Sequence, residues 1–464
     1  MYKVKTLIVF LLIFFSSVQP VSAIYDPTSV SNNKFGIHIA DTADLEDAAR
    51  LVNSSGGDWG YVTFVVTETD RDKDRWQKVF NRARRLHLTP IVRVATRPQD
   101  SMWEKPNLGQ IDGWVDFLNS LNWVIKNRYV VIANEPNHAK EWGGEVSPEE
   151  YALYLKTFSQ KLKRVSEDFF VLPAGLDASA PNSKETMDEF KFIRAMLTAQ
   201  PDIFEHIDGW VSHSYPNPNF SGSEHDRGRG SITTYEWELN LLKTLGVVRS
   251  LPVFITETGW AHSMNDKTSE FTKTEDIGQK FKVAFEKVWS SPKIVAVTPF
   301  ILNYQEPPFD IFSWKDKSKN FYQFYYDMQN LAKEKGEPIQ ITDGEAVTAL
   351  TPLIQFTDSS YTGILLVKNT GQSIWDKETV ALLDQDNTSV EISNLSYETL
   401  EPGDSGIIVF KSVTPASSGF VSGSIALSHK GKVFGKGFSF RTFLIRPLQM
   451  KIEPIFDKIW SLGP

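Results

Sequence analysis

The chain has 464 residues, with 49 basic and 57 acidic side chains, a net charge of −8 and 41% hydrophobic residues, the balance of a globular protein large enough for two cores. A mildly acidic chain without a basic block argues against nucleic acid as a partner. It has no cysteine, and its eight histidines show neither His-x-His nor His-x-x-x-His spacing. Disulfides and thiolate sites are therefore excluded, and no metal or cofactor is expected.

Lys3 and Lys5, an apolar run from Leu7 to Phe15 and then Val21-Ser22-Ala23 read as a secretory signal over residues 1–23. The protein is accordingly expected to be secreted or held at the cell surface. The run is short for a membrane span, and an uncleaved anchor is the alternative. Removing it takes two lysines and no acid, which moves the net charge from −8 to −10.

Short apolar runs then alternate with helical patterns. Predicted strands cover 35–39, 61–67, 90–95, 129–133, 169–174, 207–214, 252–256 and 294–302. Predicted helices cover 45–53, 72–85, 111–121, 147–166, 184–197, 235–245, 276–289 and 321–335. Ser147-Pro148-Glu149-Glu150 is a helix start, with a capping serine, proline at the first position and acids in the first turn. Eight such units over residues 30–335 predict an α/β fold, a (β/α)₈ TIM barrel. An open doubly wound sheet is the alternative, but no Gly-x-Gly-x-x-Gly turn follows a strand.

The pattern changes at the charged linker Lys333 to Pro338. Beyond it, strand-like segments at 353–356, 363–368, 379–383, 406–411, 421–427 and 436–443 predict an all-β antiparallel sandwich over 345–447. In the tail, 448–464, Ile452, Phe456 and Trp460 recur at four-residue spacing, read as a segment packed on its own domain, with a surface or membrane contact as the alternative.

Two predicted strands end on a carboxylate. Tyr129 to Ala133 stops at Asn134-Glu135-Pro136, where proline cannot continue a ladder, and Pro252 to Thr256 stops at Glu257. In a parallel α/β fold that end of the strand carries the chemistry. One carboxyl that protonates a leaving oxygen and another that attacks, or activates water, are what glycosidic bond cleavage needs. His213 and Tyr215, two residues apart on the sixth strand, point to the same side. Arg93 and His38 interrupt the apolar runs of the third and first strands, and Asn303 ends the eighth. Trp103, Trp142, Trp260, Phe312 and Trp314 follow strands on the same predicted face, where ring planes suit the C–H faces of sugars. The loop 217–230 is either a cover over this face or a solvated insertion.

Asn134-Glu135-Pro136, Thr256-Glu257 and His213-Ser214-Tyr215, in that order over residues 30–335, resemble the (β/α)₈ retaining glycosidases of glycoside hydrolase clan A. The resemblance implies that Glu135 is the general acid/base, that Glu257 is the nucleophile, and that Asn134 bonds the sugar 2-hydroxyl. It further implies that Tyr215 donates to the nucleophile, that His213 contacts the sugar, and that an arginine such as Arg93 holds the nucleophile. Clan members commonly carry an aromatic at the end of strand eight, which Phe300, Tyr304 or Trp314 would supply. Val367 to Trp375, with its Asn-Thr-Gly, then Pro402-Gly403 and Val433-Phe434-Gly435, resembles the immunoglobulin-like FW domain, a folding and interaction module. The expectation is a monomer acting on carbohydrate. The rival is a non-catalytic carbohydrate-binding or cell-surface protein on the same scaffold; a metal-dependent hydrolase is disfavoured by the missing ligand spacing.

Overall fold

The structure is a computed structural model that describes residues 24–262, 270–384, 390–429 and 431–447. The predicted signal segment and the amphipathic tail lie outside the described residues. Among the described residues no helix is long and apolar enough to cross a membrane.

Eight parallel strands carry the N-terminal part: β1 (Gly36–His38), β2 (Tyr61–Thr67), β3 (Thr89–Ala95), β4 (Arg128–Ile132), β5 (Phe169–Pro173), β6 (Trp210–His213), β7 (Val253–Glu257) and β8 (Ile294–Val297). They form a five-stranded sheet in the order β1-β2-β3-β4-β5 and a three-stranded sheet β8-β7-β6. The sheets meet along two seams. At one, Phe35 bridges Val297 in parallel, and the His38 N–H donates to Pro299 O at 3.0 Å. At the other, the Asp208 N–H donates to Val171 O at 2.8 Å, and the Asp208 carboxylate accepts from the Val171 N–H at 2.8 Å. A side chain thus fastens the seam where a backbone ladder would run.

Each strand is followed by a helix: α1 (Leu45–Val52), α2 (Lys73–Arg85), α3 (Ile111–Ser120), α4 (Pro148–Val165), α5 (Glu189–Ala199), α6 (Thr234–Thr244), α7 (Thr274–Val283) and α8 (Gln323–Gln329). The strands are buried on both faces because helices cover the outside, which is why they read as continuous apolar runs. Ser147 precedes α4 but makes no side-chain cap bond. Helix α5 begins five residues later than its periodicity suggests. The backbone at 185–187 is taken by the loop after β4: Ala139 donates to Glu185 O at 2.7 Å and Met187 to Asn137 O at 2.9 Å. Strand β8 is shorter than its apolar run, since Leu302 N–H turns back to His38 O. Helix α8 is also short, its end closed by the Lys333 ammonium on the carbonyls of Met328 and Leu331.

The C-terminal part is β-rich. Gly344–Leu350, Ser360–Asn369, Val390–Leu395 and Ser405–Val413 make one half, and Ile354–Phe356, Val380–Asp384, Gly419–His429 and Lys432–Ile445 the other. Leu365, Val367, Ile408 and Phe410 share one core with Leu382, Ile425, Leu427 and Phe440. The expectation of a purely antiparallel domain needs correction: Ile354–Phe356 pairs with 443–445 in parallel, and Glu345 pairs with Lys436 in parallel where the halves join. In the Asn-Thr-Gly turn, buried Asn369 donates to Ser373 O and Leu400 O, both at 2.9 Å, and its carbonyl accepts from Gly371 N–H. That turn also meets the N-terminal part, where Gln372 donates to Ile125 O and Asn122 to Gly371 O, both at 2.9 Å.

Glu189 of α5 and Glu238 of α6 are both wholly buried, and Trp210 Nε1 donates to Glu238 Oε2 at 3.0 Å. Burial first, then the neighbouring Glu238 charge, raises the Glu189 pKa well above the carboxylate range; burial likewise raises that of Glu238. The folded chain therefore holds protons that the unfolded chain releases. That contribution to stability is complete below the unfolded pKa and is lost as pH rises through the folded one. Glu189→Gln, which cannot ionise, should show a melting temperature that falls less between about pH 5 and about pH 8 than the wild type's. A wild-type melting temperature equal at both pH values would overturn the assignment.

Candidate active site

The chain leaves β4 abruptly. Ala133 and Glu135 sit at φ values of 72° and 32°, in the left-handed region that side chains with a Cβ rarely adopt. This turn is held from outside: the Glu135 N–H donates to Gly175 O at 3.0 Å and the His138 N–H to Glu135 O at 2.8 Å. Glu257 needs no such turn, being the last residue of β7.

The two glutamates face each other with His213 between them. His213 Nδ1 lies 2.9 Å from Glu135 Oε1 and 3.8 Å from Glu257 Oε2. One oxygen of each glutamate and that ring nitrogen lie within 4.8 Å of one another. Their surroundings differ. Arg93 donates to Glu257 Oε1 at 2.8 Å, and the Tyr215 hydroxyl donates to Oε2 at 3.2 Å. Burial opposes ionisation of Glu257, but His213, Arg93 and the Tyr215 bond together outweigh it and hold its pKa below the usual value. For His213, burial lowers the pKa, while the Glu257 charge and the Glu135 hydrogen bond raise it further, so the net direction is upward. A carboxylate kept charged beside a second glutamate hydrogen-bonded to an imidazole is equipment for nucleophilic and acid–base work.

Asn134 reaches the same cluster, its carbonyl accepting from Arg93 and its NH₂ donating to Glu141 Oε2 at 3.3 Å. His38 lies behind: burial first, then Arg93, pushes its pKa down to about 3, and its ring meets Phe300 edge-on at 5.1 Å. A neutral, enclosed imidazole there supports the wall.

Other placements need correction. His213 has a side chain only 2% exposed, so it cannot lie against a ligand; its work is between the glutamates. Trp142, Trp260 and Trp314 are each at most 2% exposed and belong to the hydrophobic core. Trp142 packs on Tyr151 and Tyr154, Trp260 on Phe281, and Trp314 on Phe281 and Phe324. Their faces are spent on helices, the commoner fate of a loop tryptophan beside an apolar layer. Asn303 is turned away, with its amide on Asp44 at 3.2 Å and its carbonyl accepting from Gln305 at 3.0 Å. Half-buried Trp103 does line a small cavity with Arg93, Asn134, Glu141 and Tyr154. Of the three aromatics expected after β8, Phe300 and Tyr304 are half-buried and Trp314 is buried.

Three features went unseen in sequence. Glu141, whose pKa burial and then Glu135 raise, stands beside Asn134. Phe220, from the loop 217–230, packs on Tyr215 and Phe312 at 4.9 and 5.2 Å. That loop is neither a free cover nor a solvated insertion, since Trp260 Nε1 donates to Gly222 O and Lys280 pairs with Glu224 at 2.7 Å. Gly175 backs His213, as argued below. The Glu135–His213–Glu257 group also has the donor set of a metal site, drawn from two strands and the loop after a third and so invisible to spacing rules. Arg93, however, already fixes a positive charge on Glu257, against which a dication would have to sit.

No family model and no curated protein matches the chain. Solved structures do align with it. A family 39 glycoside hydrolase from the gut symbiont Bacteroides cellulosilyticus is 15% identical over 85% of this chain and 83% of its own, with a TM-score of 0.44. A monomeric β-xylosidase from Caulobacter crescentus is 13% identical over 73% and 75%, with a TM-score of 0.44. A family 51 α-L-arabinofuranosidase from Bifidobacterium longum is 11% identical over 84% and 97%, with a TM-score of 0.39.

Proposed function

We propose that the chain is a retaining glycoside hydrolase whose eight parallel strands form a (β/α)₈ barrel. The observation that carries the reading is the unequal pair at the strand ends: Glu257 held charged by Arg93 and Tyr215, and Glu135 hydrogen-bonded to His213 within reach of it. Retaining enzymes place the two carboxyl groups about 5–5.5 Å apart, inverting ones about 6.5–9.5 Å. One oxygen of each glutamate lies within 4.8 Å of one of the other, the close approach that the shorter class requires.

In the first step Glu135 gives its proton to the glycosidic oxygen, and Glu257 attacks the anomeric carbon as the C–O bond breaks. In the second, Glu135, now a carboxylate, takes a proton from water, which displaces Glu257 from the face the leaving group vacated, so the anomeric configuration is retained. Asn134, fixed from both sides by Arg93 and Glu141, presents its amide where the 2-hydroxyl would lie. The N-terminal signal pattern supports export. For the immunoglobulin-like sandwich we propose an interaction role at the cell surface. Ile354, Phe356, Phe420 and Phe443, exposed side chains on three paired strands, support it.

The test is stereochemical. Incubation with a panel of polysaccharides should release reducing ends, and NMR of the first product should show the anomeric configuration of the bond cleaved. Inversion would overturn the double displacement. No release from any glycan, with binding retained, would favour a carbohydrate-binding protein instead.

A further inference from the structure

Glu141 ends the short turn Ala139–Glu141 in the loop after β4, and that turn is braced by its own bonds. Glu141 N–H donates to His138 O and Trp142 N–H to Ala139 O, both at 3.0 Å, while the buried Trp142 ring anchors the following residue in the core. The loops on either side clamp it. Ala139 N–H donates to Glu185 O after β5 at 2.7 Å, and Gly143 N–H donates to Trp103 O after β3 at 3.1 Å. The carboxyl that this turn delivers meets Asn134 Nδ2 at 3.3 Å.

Asn134 is thereby held at both ends of its amide. Arg93 donates to the carbonyl oxygen, which decides which end is which, and Glu141 accepts from the NH₂, which fixes the plane. An amide pinned at its oxygen alone can still swing about that bond. The NH₂ carries two hydrogens; Glu141 takes one and leaves the other for a ligand oxygen. The cavity that Glu141 and Asn134 line with Arg93, Trp103 and Tyr154 measures about 20 Å³, room for about one water and not for a sugar ring. Glu141 is therefore placed to act through Asn134. Its charge is not what this role uses. Burial and then the Glu135 charge raise its pKa, and an uncharged carbonyl oxygen can accept the same bond.

We propose that Glu141 is a positioning residue: by locking the Asn134 amide it sets the preference for glycosides that carry a 2-hydroxyl on the attacked ring over those that lack it. The inference rests on the glycosidase reading and adds to it the residue behind that selectivity. A hydrogen bond to the 2-hydroxyl strengthens as the transition state forms, so its loss falls on kcat more than on KM.

The test uses the full chain and its Glu141→Ala, Glu141→Gln and Asn134→Ala variants, with a thermal melt for each. Glu141→Leu, which fills the space without an acceptor, replaces the alanine variant should that one not fold. The probes are the 4-nitrophenyl glycosides of cellobiose, laminaribiose and xylobiose in both anomeric forms, and their counterparts without the 2-hydroxyl on the ring bearing the nitrophenyl group. On the hydroxylated probe that the wild type cleaves best, Glu141→Ala should lower kcat roughly 30-fold and leave KM within about twofold. On the 2-deoxy counterpart the same variant should stay within about twofold of the wild type. Glu141→Gln, which keeps an acceptor, should recover most of the loss. Asn134→Ala should lose at least as much as Glu141→Ala, and combining the two should cost nothing further. Equal losses on both probes would overturn the proposal, as would a Glu141→Gln as slow as Glu141→Ala, which would assign the effect to charge. If the wild type cleaves no probe, the glycosidase reading falls and calorimetric binding decides for Glu141. A preference for the hydroxylated probe in the wild type that Glu141→Ala loses keeps the positioning role; an unchanged preference, or no binding, removes it.

Discussion

Glu257→Gln should reduce hydrolysis by roughly 10⁴-fold or more, because it removes the nucleophile and leaves the rest of the site in place. The amide oxygen keeps an acceptor for Arg93 and its NH₂ can donate to the Tyr215 hydroxyl, so the cluster stays assembled and the melting temperature stays near the wild type's. What vanishes is the charge. His213 and Arg93 hold Glu257 below its ordinary pKa, and that arrangement serves a group that must be anionic to attack. Steady-state rates on whichever glycan proves active, measured beside a thermal melt, decide the matter. A variant that retained a tenth of the activity would place the nucleophile elsewhere.

Gly175→Ala should cost about 10²-fold in kcat with little change in KM. A Cβ built on Gly175 would lie 2.2 Å from His213 Cδ2 and 2.4 Å from Nε2, closer than any real carbon contact. His213 is buried and cannot step aside without leaving Glu135 Oε1. The glycine is thus a spacer that lets the imidazole sit flat against the β5 loop and aim Nδ1 at the carboxyl. The confirming pattern is non-additive: added to His213→Ala, the same substitution should cost nothing more, since no ring remains to collide with. Additive losses would mean that Gly175 acts on the backbone and not through His213.

The strands and helices of the N-terminal part were legible because both are written in local periodicity, and β2 covers the seven residues its pattern marks. Glu135 and Glu257 stood out because each ends an apolar run. The tryptophans misled for a physical reason. Sequence places Trp142, Trp260 and Trp314 after strands but says nothing of which way a loop folds back, and here each folds onto a helix. Gly344–Leu350 escaped notice because it is held by backbone pairing between two strands and has little apolar alternation of its own. Glu141 and Gly175 were invisible for the opposite reason. Their importance is a contact with a residue far along the chain, and no local pattern encodes it.

The β5–β6 seam has a mechanical meaning. Where β2 and β3 share seven paired residues, β5 and β6 are joined through Asp208 and Val171. Glu135 belongs to the sheet on one side of that line, and Glu257 with His213 to the sheet on the other. The gap between the carboxyls is therefore a gauge length measured across one of the two seams at which the sheets meet. The His213–Glu135 hydrogen bond is a tie-rod spanning it, and stiffness against splaying comes from that rod and from the clamp of Asp208. In such a frame the catalytic spacing yields to strain before the ladders do.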